Sequence, residues 1–276
     1  MNVWLQQVLP QHAVSRVVLA ATRVRTAWFK DSLIQAFLKT YPVDLSEAEQ
    51  PNPKGFESFN AFFTRALRSE LRPITPGAAD LASPVDGTVS ECGSIEGDRL
   101  LQAKGHTYSL ADLLAGQSWA EDFAGGQFAT IYLAPFNYHR IHMPIDGSLL
   151  DCVYVPGRLF SVNDSTAQAV PRLFARNERV LTRFESAAGK FALVMVGALN
   201  VGSVATVWVG DIMPRRPRVL TRLPDAHVTL RKGAELGRFN MGSTVILLFE
   251  PGRARWDDFL RRGTTLRYGE RLGQLA

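Results

Sequence analysis

Short apolar runs separated by glycine-containing turns fill the chain from Ala82 onward, and this pattern constrains the fold more than any other feature. Runs of four to eight residues bounded by turn residues are typical of β-strands. The composition of residues 186–190 is that of a hairpin loop. We therefore predict a mainly antiparallel β body. The predicted strands cover residues 128–133, 149–155, 180–184, 191–196 and 204–209.

The first forty residues have helical periodicity instead. Apolar residues recur at helical spacing on one stripe and basic residues on another, which predicts amphipathic helices. The apolar stripe is Val14, Val17, Val18, Ala21, Val24 and Trp28, and the basic stripe is Arg16, Arg23 and Lys30. Such a helix suits a membrane interface or packs on its own core, because the roughly 20 uninterrupted apolar residues of a spanning helix are missing. Ser58 is predicted to cap a short helix that presents Phe59, Phe62, Phe63 and Leu67.

Together these patterns predict an α+β fold with N-terminal amphipathic helices packed on a mainly antiparallel β core. We place an N-terminal helical region at residues 1–75 and a β-rich catalytic domain at 76–276. A hydrophobic content of 46% and a mean hydropathy of −0.03 exclude a disordered chain and an integral membrane protein. Cys92 and Cys152 lack CxxC spacing and are predicted to be reduced thiols, although a single bridge stays open.

The net charge of +5 is compatible with a nucleic-acid partner, an anionic membrane surface or simply a basic protein. No nucleic-acid-binding motif accompanies the charge, so we expect no nucleic-acid partner. A basic stretch late in the chain is predicted to be a solvated loop, with contact to lipid phosphates as the alternative. It consists of Arg215, Arg216, Arg218 and Arg222.

A Gly242-Ser243 bond stands directly before the apolar run 245–249. Glycine tolerates strained backbone geometry and leaves its carbonyl open to attack by the next hydroxyl. The pair therefore indicates a self-cleavage site, and the alternative is a tight turn before a core strand.

A serine nucleophile needs a base and a carboxylate that orients the base. Asp86 in segment 83–87 and the histidines of segment 138–144 supply these groups. Taken alone, Asp86 is equally a turn residue. His139 and His142 alone are equally metal ligands or core histidines, but no third ligand cluster appears, so no metal is expected.

Six segments resemble the bacterial phosphatidylserine decarboxylases, which are pyruvoyl enzymes made as self-cleaving proenzymes. The resemblance runs nearly end to end and departs at Met241, where the family usually has leucine, a volume-conserving difference. The matching segments are 101–110, 139–144, 154–157, 160–163, 173–179 and 236–244.

The resemblance implies that Ser243 attacks the Gly242 carbonyl and that the chain separates into a β chain, 1–242, and an α chain, 243–276. The serine then becomes a covalent pyruvoyl group, the expected cofactor, which forms a Schiff base with phosphatidylserine and releases phosphatidylethanolamine and carbon dioxide. Asp86, His142 and Ser243 correspond to the self-processing triad. His139 corresponds to the residue that assists decarboxylation.

The implied partners are phosphatidylserine, an anionic membrane surface and the two cleaved chains as a heterodimer, with a homo-oligomer left open. The implied location is peripheral, on the cytoplasmic face of the bacterial inner membrane. Two other hypotheses for the function are a serine hydrolase that uses the same Asp-His-Ser triad and a noncatalytic membrane-binding module. Against the hydrolase, Ser243 lacks the GxSxG context of a nucleophile elbow.

Overall fold

The computed structural model describes residues 6, 10–103, 105–199, 203–212, 228–240 and 243–276, and the backbone of 221–222. Gly242 and the preceding Met241 lie outside the described residues. The predicted basic loop around Arg215, Arg216 and Arg218 also lies outside them.

The helices concentrate at the N-terminal end of the described chain. They are α1 (Gln11–Thr22), α2 (Ala27–Thr40), α3 (Phe59–Phe63), α4 (Leu110–Leu113), α5 (Asp164–Ala169) and α6 (Leu173–Arg176). Short 3-10 helices cover Leu45–Glu47, Pro53–Gly55, Ser69–Leu71 and Ser118–Phe123. The predicted cap of α3 is confirmed, since Ser58 Oγ accepts a 3.1 Å hydrogen bond from the Ala61 N–H.

Strands are the main regular structure in the rest of the described chain. They are β1 (Asp80–Ala82), β2 (Gly87–Ser94), β3 (Arg99–Ala103), β4 (His106–Ser109), β5 (Gln127–Leu133), β6 (Arg140–His142), β7 (Gly147–Val155), β8 (Arg179–Ser186), β9 (Gly189–Val196), β10 (Val204–Thr206), β11 (Gly210–Ile212), β12 (Thr221–Arg222), β13 (Thr229–Leu230), β14 (Glu235–Phe239), β15 (Ser243–Phe249), β16 (Ala254–Trp256), β17 (Thr265–Leu266) and β18 (Arg271–Leu275). The predicted α+β class is confirmed.

The largest sheet in the described chain has the order β12-β7-β8-β9-β15-β5-β2-β17, with β13 also paired to β7, and its strand pairs are antiparallel. A second sheet has the order β11-β10-β14-β6, and its strand β6 contains His142. Two small sheets, β1-β18-β16 and β3-β4, complete the body.

Strand β15 lies in the middle of the large sheet, between β9 and β5. Val245, Leu247 and Phe249 join one hydrophobic cluster, whereas Ile246 and Leu248 join another. Both faces of β15 are therefore covered, which explains why its sequence is continuously apolar instead of alternating.

The predicted strands agree closely with β5, β7, β8 and β9, and the predicted hairpin loop joins β8 to β9 through a Ser186–Gly189 pair. The prediction for 204–209 was too long, because β10 ends at Thr206 and the chain turns back into β11. Gly210 has a φ of +74°, a backbone conformation that favours glycine and permits this turn.

The N-terminal helices pack through a mainly aromatic hydrophobic cluster, which consists of Ile34, Phe56, Phe59, Phe62 and Phe63. Their predicted basic stripe is only partly exposed. Lys30 is buried against Asp31 and the Lys54 carbonyl, while Arg23 pairs with Asp211. Within the described ranges, no helix has the length and apolar character needed to cross a bilayer.

Candidate active site

Ser243 is the first residue of β15, where it pairs with Leu133 of β5. Only 1% of the residue is exposed, and its Oγ has no hydrogen-bond partner among the described residues. A buried hydroxyl without a partner costs free energy, so such a group is a candidate for a functional role. Ser243 lines a cavity of about 390 Å³.

The wall of this cavity is polar in part and aromatic in part. The N-terminal region contributes Gln6, Phe37, Tyr41 and Phe63. The β body contributes Tyr132, Leu133, Pro135, Ser161, Val162, Asn163, Ala198 and Leu199. Phe37 and Tyr41 also line an adjoining apolar groove of about 320 Å³, together with Thr22, Leu33, Ala36, Thr40 and Phe59.

His142, at the end of β6, is held by contacts to both ring nitrogens. Its Nδ1 lies 2.8 Å from the Gly233 carbonyl, and its Nε2 lies 3.0 Å from the Tyr138 hydroxyl. Since a carbonyl only accepts, Nδ1 carries the proton and Nε2 is the basic nitrogen. The ring of Tyr268 stacks on the imidazole with centroids 3.7 Å apart. Burial lowers the pKa of His142 to about 4, so the ring is neutral at ordinary pH.

Asp86 lies in the loop that joins β1 to β2 and forms a two-point ion pair. Its carboxylate accepts from Arg72 Nη2 at 2.7 Å and Arg72 Nε at 3.2 Å, and from the Tyr268 N–H at 2.7 Å. Within the described chain, no hydrogen bond joins Asp86 to His142. Tyr268 connects the two instead, since its backbone binds the carboxylate and its ring covers the imidazole.

The structure thus brings Asp86 and His142 to the same place but gives His142 a different orienting partner, the Gly233 carbonyl. Arg72 and Tyr268 were not found from the sequence. They lie 14 and 182 residues from Asp86 along the chain, and no local motif marks either of them. Tyr138 belongs to segment 138–144, which was identified from the sequence for its two histidines.

His139 is fully buried just before β6. Its Nδ1 lies 2.8 Å from the Asn137 carbonyl, and its Nε2 has no partner among the described residues. Its ring packs on Phe63 at 4.0 Å, and Phe63 is also part of the Ser243 cavity wall. Burial, assisted by the charge of Arg65, holds the pKa of His139 well below its ordinary value. His139 is therefore a neutral imidazole with an accepting nitrogen.

If His142 is the self-processing base that the family resemblance implies, self-cleavage should be nearly independent of pH from 8 down to about 5.5 and should slow as the pH approaches 4, because the lowered pKa of His142 keeps its ring neutral until then. In-vitro translated protein, shifted in pH and followed by denaturing electrophoresis, would give the rates. Circular dichroism at each pH controls for unfolding, since unfolded histidines take up protons below about pH 6.5 and weaken the fold. A midpoint near 6.5 in folded protein would contradict the expectation.

In the part of the chain that the structure describes, no group of three or more His, Cys, Asp or Glu side chains is placed to hold a metal ion. Ser243 lines the cavity and His139 packs on Phe63 of the same cavity wall, whereas no described contact joins His142 to Ser243 or to this wall. The cavity is therefore the candidate active site.

The comparisons with known proteins support the conclusion that this chain is an enzyme. A family model described as phosphatidylserine decarboxylase matches residues 59–274, and a second, described as PSD, matches 1–42. A phosphatidylserine decarboxylase proenzyme of Ectopseudomonas mendocina is 50% identical over 97% of this chain and 96% of its own. Those of Methylococcus capsulatus and Nitrosococcus oceani are 48% and 49% identical over 98% of this chain, and over 94% and 90% of their own. The chain belongs to the phosphatidylserine decarboxylase family and is an enzyme.

Proposed function

We propose that this protein converts phosphatidylserine to phosphatidylethanolamine and carbon dioxide with a pyruvoyl group that it makes from Ser243. The observation that carries the proposal is the position of Ser243. Its hydroxyl is buried without a partner among the described residues, at the start of a core strand and on the wall of a cavity.

Self-processing begins when Ser243 Oγ attacks the Gly242 carbonyl carbon and the peptide bond becomes an ester. His142 takes the hydroxyl proton, a role supported by its neutral ring and basic Nε2. Elimination of the Gly242 carboxylate leaves dehydroalanine at position 243, and its hydrolysis yields ammonia and the pyruvoyl group. The peptide bond is cleaved in this process, and no external cofactor is required.

The pyruvoyl group, once formed, supplies a ketone that withdraws electrons from the amino-bearing carbon of the substrate. The residues around it bind and orient the lipid and move one proton. We propose that His139 assists decarboxylation as a proton relay, in which its neutral Nε2 first accepts a proton from the ammonium group of the substrate and then returns it to that carbon after carbon dioxide leaves. The position of the ring on Phe63, at the cavity wall, and the available Nε2 support this role. Asp86 holds Tyr268, which covers the ring of His142.

The surroundings of Ser243 support a lipid substrate. Phe37 and Tyr41 belong both to the cavity and to the apolar groove beside it, so a polar head group and an acyl chain would find adjacent surfaces of matching character. Both aromatic residues belong to the N-terminal helical region, since Phe37 lies in α2 and Tyr41 directly follows that helix.

The test of the function is an intact mass under denaturing conditions, followed by incubation with phosphatidylserine vesicles and lipid mass spectrometry. We expect two chains, the smaller of 34 residues (243–276) with a borohydride-reducible carbonyl at its N-terminus, and phosphatidylethanolamine as the product. An intact chain that releases fatty acid or lysolipid would identify a serine hydrolase instead. An intact chain with no lipid chemistry would leave a binding module.

We also propose a peripheral location on the cytoplasmic face of the inner membrane, with α1 and α2 against the lipid. Val17 and Trp28 are 70% and 72% exposed, although they are large and apolar. Arg16 and Arg25 are exposed near them in the sequence and would meet anionic head groups.

Replacing Val17 and Trp28 together by serine should weaken binding to anionic vesicles by about tenfold or more, because two apolar anchors are lost from the interface. A vesicle flotation assay gives the affinity. Phe259→Ser is the matched control, since Phe259 is 49% exposed and lies outside the N-terminal region. Equal binding by the double variant and the parent would reject this placement.

A further inference from the structure

Residues 156–163 join β7 to α5 without helix or strand structure of their own. Ser161, Val162 and Asn163, at the end of this connection, form part of the wall of the Ser243 cavity. A buried connection of this kind needs hydrogen-bond partners for its backbone, since no neighbouring strand supplies a ladder of them. The identity of those partners determines what holds the wall in place.

Three consecutive backbone N–H groups in this connection donate to side-chain amide oxygens. Leu159 donates to Gln11 Oε1 at 2.9 Å, and Phe160 donates to Asn177 Oδ1 at 3.1 Å. Ser161 donates to Gln6 Oε1 at 2.8 Å. Asn177 belongs to the β body, whereas the two glutamines come from the N-terminal segment. That segment therefore supplies two of the three acceptors.

The two glutamines are also bound to each other and hidden from solvent. Gln11 Nε2 donates to the Gln6 carbonyl at 2.7 Å, and the residues are 3% and 0% exposed. Their neighbour His12 contacts the Gly157 carbonyl through Nε2 at 2.9 Å, and it donates there because a carbonyl only accepts. Side chains of the N-terminal segment thus bind backbone groups at residues 157, 159 and 161, in the alternating manner of a strand edge.

We propose that Gln6 and Gln11 are positioning residues that fix the Ser161–Asn163 wall of the cavity, so that the N-terminal segment completes the substrate site in addition to any role at the membrane. This inference rests on the proposed function, because it assigns the wall to substrate binding. Loss of either acceptor leaves an N–H of the connection without its partner, fully buried at Leu159 and partly buried at Ser161, and the connection must then move to find another.

The test uses full-length, self-cleaved Gln11→Met and Gln6→Met, in which an apolar side chain of similar length removes the acceptor. The substrate is a short-chain phosphatidylserine kept below its micelle concentration, so that membrane binding plays no part. We expect KM to rise about tenfold with kcat changed by less than about threefold, because binding at the wall is lost in the ground state and transition state alike. Gln35→Met, at an exposed position of α2, is the matched control and should leave both constants unchanged.

Hydrogen exchange of the 157–163 peptide, read by mass spectrometry, is the second measurement and does not depend on activity. We expect faster exchange there in both glutamine variants and no change in β15. Parental KM and parental exchange in the variants would overturn the proposal, as would a defect seen only with vesicles, which would assign the glutamines to membrane anchoring. Absence of decarboxylation by the parent itself would reject the proposed function, and the exchange experiment would still decide the positioning role.

Discussion

Ser243→Ala is expected to remain a single chain of 276 residues and to lose decarboxylation by at least about a thousandfold. The substitution removes the hydroxyl that attacks Gly242 and also the atom from which the ketone is made. Ser243 Oγ has no hydrogen-bond partner among the described residues, so its removal costs the fold little. Self-cleavage and activity should therefore be lost together while the melting temperature is retained.

Intact mass, lipid product analysis and thermal unfolding on the same preparation would check this expectation. Ser148→Ala is a suitable control, because Ser148 is an exposed serine of β7 whose hydroxyl contacts only the Thr229 hydroxyl among the described residues. It should be cleaved and active like the parent. If Ser243→Ala decarboxylates the lipid at the parental rate, the proposed origin of the ketone is wrong.

Arg72→Met is expected to lower the free energy of unfolding by about 3–5 kcal/mol, the usual effect of removing one partner from a buried ion pair. The side chain of Arg72 is 3% exposed and binds both Asp86 and Glu47 at 2.7 Å. Burial alone would lower the pKa of Arg72, but its hydrogen bonds to these carboxylates outweigh that effect and raise the pKa. Without Arg72, Asp86 retains only the Tyr268 N–H as a described partner.

Urea unfolding in the uncleaved Ser243→Ala background would measure this loss, since a single chain can unfold in a two-state manner. Arg267→Met is the matched control. Arg267 also pairs with Glu47, but its side chain is 50% exposed, so we expect a change below about 1 kcal/mol. Adding Asp86→Asn to Arg72→Met should restore part of the stability, because no unpaired carboxylate is then buried. Equal losses for both arginine variants would contradict the buried-pair argument.

Local sequence patterns correctly predicted the elements whose surroundings in the fold match their hydrophobic or capping pattern. The apolar run 245–249 became β15, because a strand covered on both faces has no exposed position for a polar residue. The Ser58 cap formed as predicted, since capping involves residues only three apart. The run 204–209 was misjudged at its end because the turn after Thr206 keeps apolar side chains, and Trp208 packs on the main core.

The basic stripe of the N-terminal helices shows a second limit. Helical spacing grouped Val17 and Trp28 on one apolar stripe without deciding whether that stripe faces a membrane or the core. It could not indicate that both residues are exposed or that Lys30 faces Asp31 and the Lys54 carbonyl. Helical periodicity shows which residues of one helix share a face, but not what packs against that face. The surface that another segment covers depends on contacts from distant parts of the chain.

By itself, the sequence determined the α+β class, the core strand of the apolar run 245–249, the family, and the four candidate residues Asp86, His139, His142 and Ser243. These follow from local patterns and from motifs a few residues long. Only the tertiary structure decided that Arg72 neutralises Asp86 and that Gly233 and Tyr138 hold the ring of His142. It also decided that Gln6 and Gln11 bind the backbone of the connection that ends in the cavity wall. The physical reason is that these partners are far apart in the sequence and come into contact only in the folded chain. Their roles depend on burial and hydrogen-bond geometry, and no local motif marks these residues.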